Sequence, residues 1–518
     1  MPDNVPPDTH IENPPTTIWG TMQRLGPGMI IAGSIVGSGE LIATTKTGAE
    51  AGFWLLWLII IGCVIKVFCQ VELGRHTITH SETPLDAMNK IPGPRLKVNW
   101  LVWAWAIMTL TIITQQGGIM GGVGQALSIS VPLTNQGIEY NELDAKRTEL
   151  KIAKAKTLKS SPADITLLVQ DFDTKIKELD NKITTLGKPK DTFIWVAIVG
   201  VSTAILLYFG RFFLIQMVST VLVVSFTIIT IFTLFRLQMN PDWAITSSEF
   251  GDGLKFNLPP GNENATSYDW GPLKTALMTF GIIGVGTSEL MMYPYWCLEK
   301  GYAKYTGTRE QTKEWVQRAK GWMRVMRFDA WFSMVIYTFS TIAFYLLGAA
   351  VLNRAGMVPE GGNMIRTLSQ MYVPVFGESA DTIFLIGAFA VLYSTLFVAG
   401  AGNARMLADG LGLFGLLNRD EESRLKWSRR LSGIWILGAT FLYIFLGYVL
   451  ERESPAAMVL LAGLSQAIIL PMVGIAALYF RYKRADEQLK PGTAWDIFLW
   501  ISFAGFVLVG VVTIISKL

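Results

Sequence analysis

Val36-Gly37-Ser38-Gly39-Glu40-Leu41 and Val285-Gly286-Thr287-Ser288-Glu289-Leu290 are nearly the same phrase, and each sits inside an apolar run in its own half of the chain. Glycines and small hydroxylated residues interrupt a membrane helix. Freed backbone groups at that depth are tolerated only where they are buried in protein or line a cavity. Each interruption carries a carboxylate, which costs roughly 3 kcal/mol or more inside a bilayer unless it is paired, hydrated or coordinating. Two matched breaks therefore predict an inverted repeat with a solute site between them. Glu40 and Glu289 could instead cap the half-helices that restart after each break, where a negative charge meets the positive end of the dipole. Capping and ion binding are compatible, because a capped carboxylate keeps free lone pairs.

The surrounding composition requires a bilayer. Of 518 residues, 51% are hydrophobic and 16% charged, with a mean hydropathy of +0.38, too apolar for an ordinary soluble protein. The net charge of +4, spread over short stretches between apolar runs, excludes a nucleic-acid surface. Cys63, Cys69 and Cys297 lie in or beside apolar runs without metal-ligand spacing and read as small core hydrophobes. The polar, proline-rich start, Met1 to Thr17, lacks the basic and apolar regions of a cleavable signal.

A bilayer core of about 30 Å needs roughly 20 apolar residues per helix, and about eleven segments qualify. They are Pro27 to Thr45, Phe53 to Leu73, Trp100 to Leu127, Thr192 to Tyr208, Phe212 to Phe235, Leu273 to Leu298, Ala330 to Leu352, Thr382 to Ala404, Leu431 to Leu450, Ala456 to Phe480 and Trp495 to Ile515. The expected fold is all-α integral membrane: a tail over 1–25, a first five-helix repeat over 26–237, a second over 271–480, and an additional helix over 494–518. Lysines and arginines crowd the loop from Lys300 to Arg327, the loop from Arg419 to Arg430 and Arg481 to Arg484. Retention of such loops in the cytoplasm predicts a multi-pass protein of the cell membrane with its N-terminus inside and its C-terminus outside. Lys66 and Asp329 read as side chains snorkelling to that cytoplasmic interface. His76 and His80 read as members of a cytoplasmic loop, and His10 belongs to the tail.

Residues 137–190, rich in Lys, Glu and Asp, interrupt the first repeat as a soluble helical hairpin on the outer side. Ser161 and Pro162 start its second arm. Ile165, Leu168, Phe172, Ile176, Leu179, Ile183 and Leu186 follow at coiled-coil spacing, with Leu143, Leu150 and Leu158 as their counterparts. A structural cap and a docking site for an external partner are both open readings. In a second outer loop Asn264-Ala265-Thr266 has the form of a glycosylation sequon.

Several short motifs, in order, are similar to the Nramp (natural resistance-associated macrophage protein) family of metal-ion transporters. They are Gly26-Pro27-Gly28, Gly48-Ala49 with Gly52-Phe53-Trp54-Leu55-Leu56-Trp57, Gly281-Ile282-Ile283-Gly284, and Leu464-Ser465-Gln466 with Leu470-Pro471. The resemblance covers most of the chain outside the hairpin. It implies an amino-acid-symporter-like fold, a midplane site, alternating access, and Gln466 as a further ligand. The site departs from the family pattern. Its Asp-Pro-Gly-Asn is here Gly37-Ser38-Gly39-Glu40, and its Met-Pro-His is Ser288-Glu289-Leu290.

What remains is an oxygen-only set: Glu40, Glu289, the hydroxyls of Ser38, Thr287 and Ser288, and loosened carbonyls such as that of Gly37. Such a set suits hard cations, Mg²⁺, Mn²⁺ or Ca²⁺, and family members with a relaxed site accept Mg²⁺. The leading expectation is a secondary transporter of a divalent cation, with no cofactor beyond that cargo and H⁺ as the candidate coupling ion. A proton- or sodium-coupled symporter of a small organic solute is the alternative within transport, and a non-transporting membrane sensor the alternative outside it. An enzyme is not expected, for there is no nucleophile–base pair, phosphate-binding loop or histidine cluster. The third span offers Gln115, Gln116 and a glycine run from Gly117 to Gly124, but no carboxylate for a proton relay. Its glycines predict close helix packing.

Overall fold

The computed structural model describes residues 11–28, 30, 33, 36–160, 165–209, 212–260 and 270–516. The described residues are nearly all helical, apart from a small antiparallel pair of strands, Arg95–Leu96 with Val98–Asn99. His10, Ser161, Pro162 and the Asn264 sequon lie outside them.

The first span restarts after its break as a wide helical turn, Ser38–Thr44, and continues as Thr45–Ala51. The second span is two helices joined at Ile65: α1 (Leu56–Val64) and α2 (Lys66–His80). The third is a single helix, α3 (Trp100–Ser130). The hairpin follows as α4 (Asn135–Ser160) and α5 (Ile165–Leu186), then α6 (Asp191–Tyr208) and α7 (Phe212–Leu237). The second half opens with a split helix, α8 (Gly271–Phe280) and α9 (Thr287–Glu299). It proceeds through α10 (Lys313–Leu347), α11 (Ala380–Leu413), α12 (Glu421–Ile444), α13 (Pro455–Tyr479) and α14 (Thr493–Ile515). Among the described residues seven helical segments are long and apolar enough to cross a membrane unaided: Leu56–His80, Asp191–Tyr208, Lys313–Asn353, Gly361–Leu413, Glu421–Val449, Pro455–Arg484 and Thr493–Ile515. Helix α3 and the split span α8–α9 are not among them; both carry polar and glycine residues.

Helix α3 packs against α13 and α11, and α6 against α12. The glycine run makes these approaches close. A Cβ on Gly118 would lie 2.5 Å from the Pro455 carbonyl, and one on Gly121 would lie 2.1 Å from the Tyr443 ring, so small residues set the helix spacing here. The split span is pressed against α13 in the same way: a Cβ on Gly281 would meet the Gly463 carbonyl at 2.1 Å.

At the end bearing the basic loops, the Asp329 carboxylate accepts the N–H groups of Gly26 (3.1 Å) and Gly28, and the Tyr293 hydroxyl at 3.2 Å. Asp329 is buried, so the snorkelling expected of it is corrected: it closes the start of the first span. His76 and His80 are likewise not loop residues. Both belong to α2, with rings stacked 4.2 Å apart and His76 buried.

The hairpin arms pack along each other. On α5 the seam runs through Phe172, Ile176, Leu179, Ile183 and Leu186, whereas Leu168 near the tip is exposed. The α4 face differs from expectation: Asp144, Thr148, Ile152 and Ala155 are buried, while Leu143 and Leu150 are only half-buried and Leu158 is exposed. The reason is electrostatic. Asp144 forms an ion pair with Arg366 at 2.7 Å, from the segment preceding α11, and a second with Arg147, so a charged position occupies the seam where an apolar one would be expected.

Candidate functional site

Glu40 lies in the first turn of Ser38–Thr44 with no exposure to solvent. Its Oε1 accepts the Thr341 hydroxyl of α10 at 3.1 Å and the Gly284 N–H at 3.3 Å. Its Oε2 is equally buried and has no hydrogen-bond partner among the described residues. The turn around it is wound wide, with the hydroxyls of Thr44 and Thr45 donating to the Gly39 and Glu40 carbonyls at 2.9 and 3.3 Å. Gly37 precedes it because nothing larger fits: a Cβ there would fall 1.7 Å from Thr395 Oγ1 of α11. The Gly37 carbonyl accepts the Leu41 N–H at 2.8 Å.

The matching break covers residues 281–286, where the chain leaves the helix between α8 and α9. Gly284 takes a φ of +57°, a left-handed conformation that favours glycine. Glu289 sits in the first turn of α9, 8% exposed, with Oε2 accepting the Ser288 hydroxyl at 2.9 Å. Gly286 leaves the space its carboxylate fills, since a Cβ there would come within 2.3 Å of Glu289 Oε2. Both carboxylates lie in the first turn after a break, but the cap positions are Gly37 and Gly286 and neither helix start has a side-chain cap.

A chain of amides joins the two breaks. Gln115 Nε2 donates to Ser38 Oγ at 3.2 Å, Gln466 Nε2 donates to Gln115 Oε1 at 2.9 Å, and the Ser288 N–H donates to Gln466 Oε1 at 3.1 Å. Thr287 Oγ1 donates to the Gln466 main-chain carbonyl at 2.8 Å. Ser38, Gln466, Ser288 and Glu289 are therefore brought into one connected polar set, and Glu40 faces the same break through Gly284. Thr287 braces α13 from the side. Among the described residues no three His, Cys, Asp or Glu side chains gather into a preassembled metal cage. A cation here would complete its shell from hydroxyls, amide oxygens, carbonyls and water.

Three side chains at this centre depart from the sequence reading or escape it. Lys66 is fully buried, not at an interface, and its Nζ donates to the Phe280 carbonyl at 2.5 Å and the Ile283 carbonyl at 2.8 Å. Gln115 links the breaks. Thr341 holds Glu40. A lone lysine inside an apolar run is the available signal for the first; nothing in the local sequence distinguishes the other two from ordinary polar residues of a bundle.

A cavity of about 700 Å³ opens instead at the basic end among Tyr295, Glu299, Lys300, Arg405, Arg424 and Arg429. None of the break residues lines it.

Two matched interruptions in a membrane-embedded helical bundle, sharing one polar centre, define the broken-helix, five-plus-five class of membrane transporter folds. Residues 184–516 match the family model described as natural resistance-associated macrophage protein-like, and the chain belongs to that family. Solved structures agree on the fold. A histidine-to-alanine mutant of the Eremococcus coleocola manganese transporter superposes with a TM-score of 0.60 at 13% identity, covering 98% of this chain and 89% of that one. The same transporter in complex with an aromatic bis-isothiourea substituted compound gives 0.56 at 14% identity over the same shares. MhsT in complex with L-phenylalanine gives 0.52 at 13%, covering 98% of this chain and all of that one. No curated protein matches the chain.

Proposed function

We propose that the chain is a secondary transporter of divalent metal cations that carries hard ions, Mg²⁺, Mn²⁺ or Ca²⁺, by alternating access around its two broken helices. The observation that carries this reading is the Glu40 Oε2 atom: a carboxylate oxygen without exposure and without a partner among the described residues, at the break that faces the second carboxylate-bearing break. A buried acceptor left unsatisfied costs about 1–3 kcal/mol, and more when charged, so a cation is the natural complement. Glu289, Ser38, Ser288 and the Gln466 oxygen supply further ligands, and Thr287 and Gly37 contribute through the braces and carbonyls described above. The absence of a thioether or imidazole in the set favours hard over soft ions. Membership of the family supports metal-ion transport as the activity. The basic loops favour an N-terminus in the cytoplasm, a C-terminus outside and the cell membrane as the site of action.

The test is flux of Mn²⁺, Mg²⁺ and Ca²⁺ into proteoliposomes, comparing wild type with Glu40→Gln and Glu289→Gln. Saturable uptake lost in both variants is the expected result, and the order of the ions reads the selectivity. A folded wild type that moves none of the three refutes the reading and turns attention to organic solutes.

A further inference from the structure

The break at 281–286 leaves main-chain carbonyls without helical partners, and Lys66 takes two of them. Its ammonium lies on the Phe280 and Ile283 oxygens and 5.0 Å from the centre of the Phe280 ring. Phe280 is the last residue of α8, so its carbonyl stands at the negative end of a half-helix dipole. In transporters of this architecture, unwound carbonyls and half-helix C-terminal ends are where a monovalent coupling cation is held. Here the same groups hold a covalently attached ammonium. Lys66 starts α2 at the joint with α1, and its stem reaches the centre from a neighbouring helix without exposure. Cys63, three residues earlier on α1, is fully buried as well.

We infer that Lys66 is a tethered substitute for a dissociable monovalent cation: its ammonium fills a cation position in the second break, on the Phe280 and Ile283 carbonyls. Lys66 is a positioning residue, acting on the cargo through the 280–284 backbone that it holds and that Glu40 also grips. The consequence is a transporter with no requirement for Na⁺ or K⁺, in which the charge that other proteins of this architecture recruit from solution is built in. The inference rests on the transport reading for its consequence, though the cation position itself is a structural property that can be tested apart from it.

The experiment has two arms on the full-length protein. In the first, melting temperatures of wild type and Lys66→Ala are compared in N-methylglucamine chloride, in NaCl and in ethylammonium chloride at equal ionic strength. Wild type should be indifferent to the cation, and Lys66→Ala should be stabilised saturably by Na⁺ or ethylammonium. In the second, divalent-ion uptake by Lys66→Ala should fall at least tenfold in N-methylglucamine and recover with the cation that stabilises it, a rescue that a merely structural gap would not show. Lys66→Met, which fills the space without the charge, should stay inactive in every salt. Wild-type uptake that requires Na⁺ or K⁺, unimpaired uptake by Lys66→Met, or a Lys66→Ala melting temperature no more cation-sensitive than wild type each overturns the inference. Should Lys66→Ala fail to fold, unimpaired uptake by Lys66→Met overturns it and loss of uptake by a folded Lys66→Met supports it. A wild type without divalent-ion flux combined with a cation-sensitive Lys66→Ala removes the transport reading and leaves the tethered cation standing.

Discussion

Replacing Asp144 with leucine should detach the hairpin from the membrane bundle, and the size of the effect follows from its neighbours. Asp144 and Arg366 have side chains exposed to 2% and 6% and stand 2.7 Å apart. At an effective dielectric of about 20 their attraction is roughly 6 kcal/mol before desolvation is counted. Desolvation offsets much of that, so the pair itself adds little net stability, but removing one partner strands the other and costs about 3–5 kcal/mol. The two partners are not equivalent. Arg366→Leu leaves Asp144 paired with Arg147, whereas Asp144→Leu leaves Arg366 buried with its 3.2 Å bond to Asn141 Oδ1, Arg147 keeping Asp180 at 3.0 Å. Asp144→Leu should therefore reach the upper part of that range and Arg366→Leu the lower part. By hydrogen exchange in nanodiscs, a loss of about 4 kcal/mol raises the opening equilibrium of the α4–Arg366 contact by nearly three orders of magnitude, while α3 and α13 remain protected. Asp144→Leu combined with Arg366→Met should recover most of the loss. Unchanged protection in Asp144→Leu, or a double variant no better than the worse single one, would refute the electrostatic account of the hairpin seam.

Thr341→Val removes the hydroxyl that donates to Glu40 Oε1 and should lower stability by about 1–3 kcal/mol, the cost of leaving a buried acceptor without its donor, read as a lower melting temperature together with a changed KM for the transported ion. Gln115→Leu cuts the link from Ser38 to Gln466, for an expected loss of about 1–3 kcal/mol; wild-type stability and uptake would show the amide chain to be idle. Gly37→Ala forces a Cβ onto Thr395 and should cost about 1–3 kcal/mol by overpacking, a cost that Thr395→Gly in the same protein should relieve. In the loop between α7 and α8, burial opposes ionisation of Glu249. The Thr246 N–H at 2.8 Å and the Arg354 guanidinium at 2.5 Å outweigh it and hold the carboxyl below its usual value. The stabilisation of the Ser247–Asp252 turn is thus fully present above the unfolded carboxyl pKa and is lost as pH falls through the lower folded one. The protection factors of that turn, corrected for the intrinsic pH dependence of exchange, should stay flat through the neutral range and fall only in acid; loosening that begins near neutrality would contradict it.

The centre of this fold is legible in the sequence because its defects are local. Glycine and hydroxyl residues around a carboxylate cannot sit comfortably in a lipid-facing helix, so Glu40 and Glu289 announce a break and a cavity by themselves. The glycine run of α3 is legible for the same reason, as only close packing rewards so many missing side chains. What the sequence hides is pairing at long range. Lys66 finds its carbonyls more than 200 positions away, and a lone lysine inside an apolar run looks the same whether it reaches water or a broken helix. The hairpin seam misleads in the opposite direction. Heptad spacing selects leucines, but Asp144 occupies the buried face because its partner, Arg366, lies outside the hairpin. Gln115 and Thr341 carry no signature at all until the helices that bear them are placed side by side.

The 280–284 segment is held by Glu40 through the Gly284 N–H and by Lys66 through two carbonyls, and both of those residues belong to the first half of the chain. A ribosome therefore delivers the partners before it delivers the defect. When residues 271–299 enter the bilayer, the groups that satisfy their exposed backbone are already there, whereas the second half made alone would meet lipid with its carbonyls bare. Expression of the two halves as separate polypeptides should accordingly depend on which is present first, with the second half degraded unless the first has preceded it.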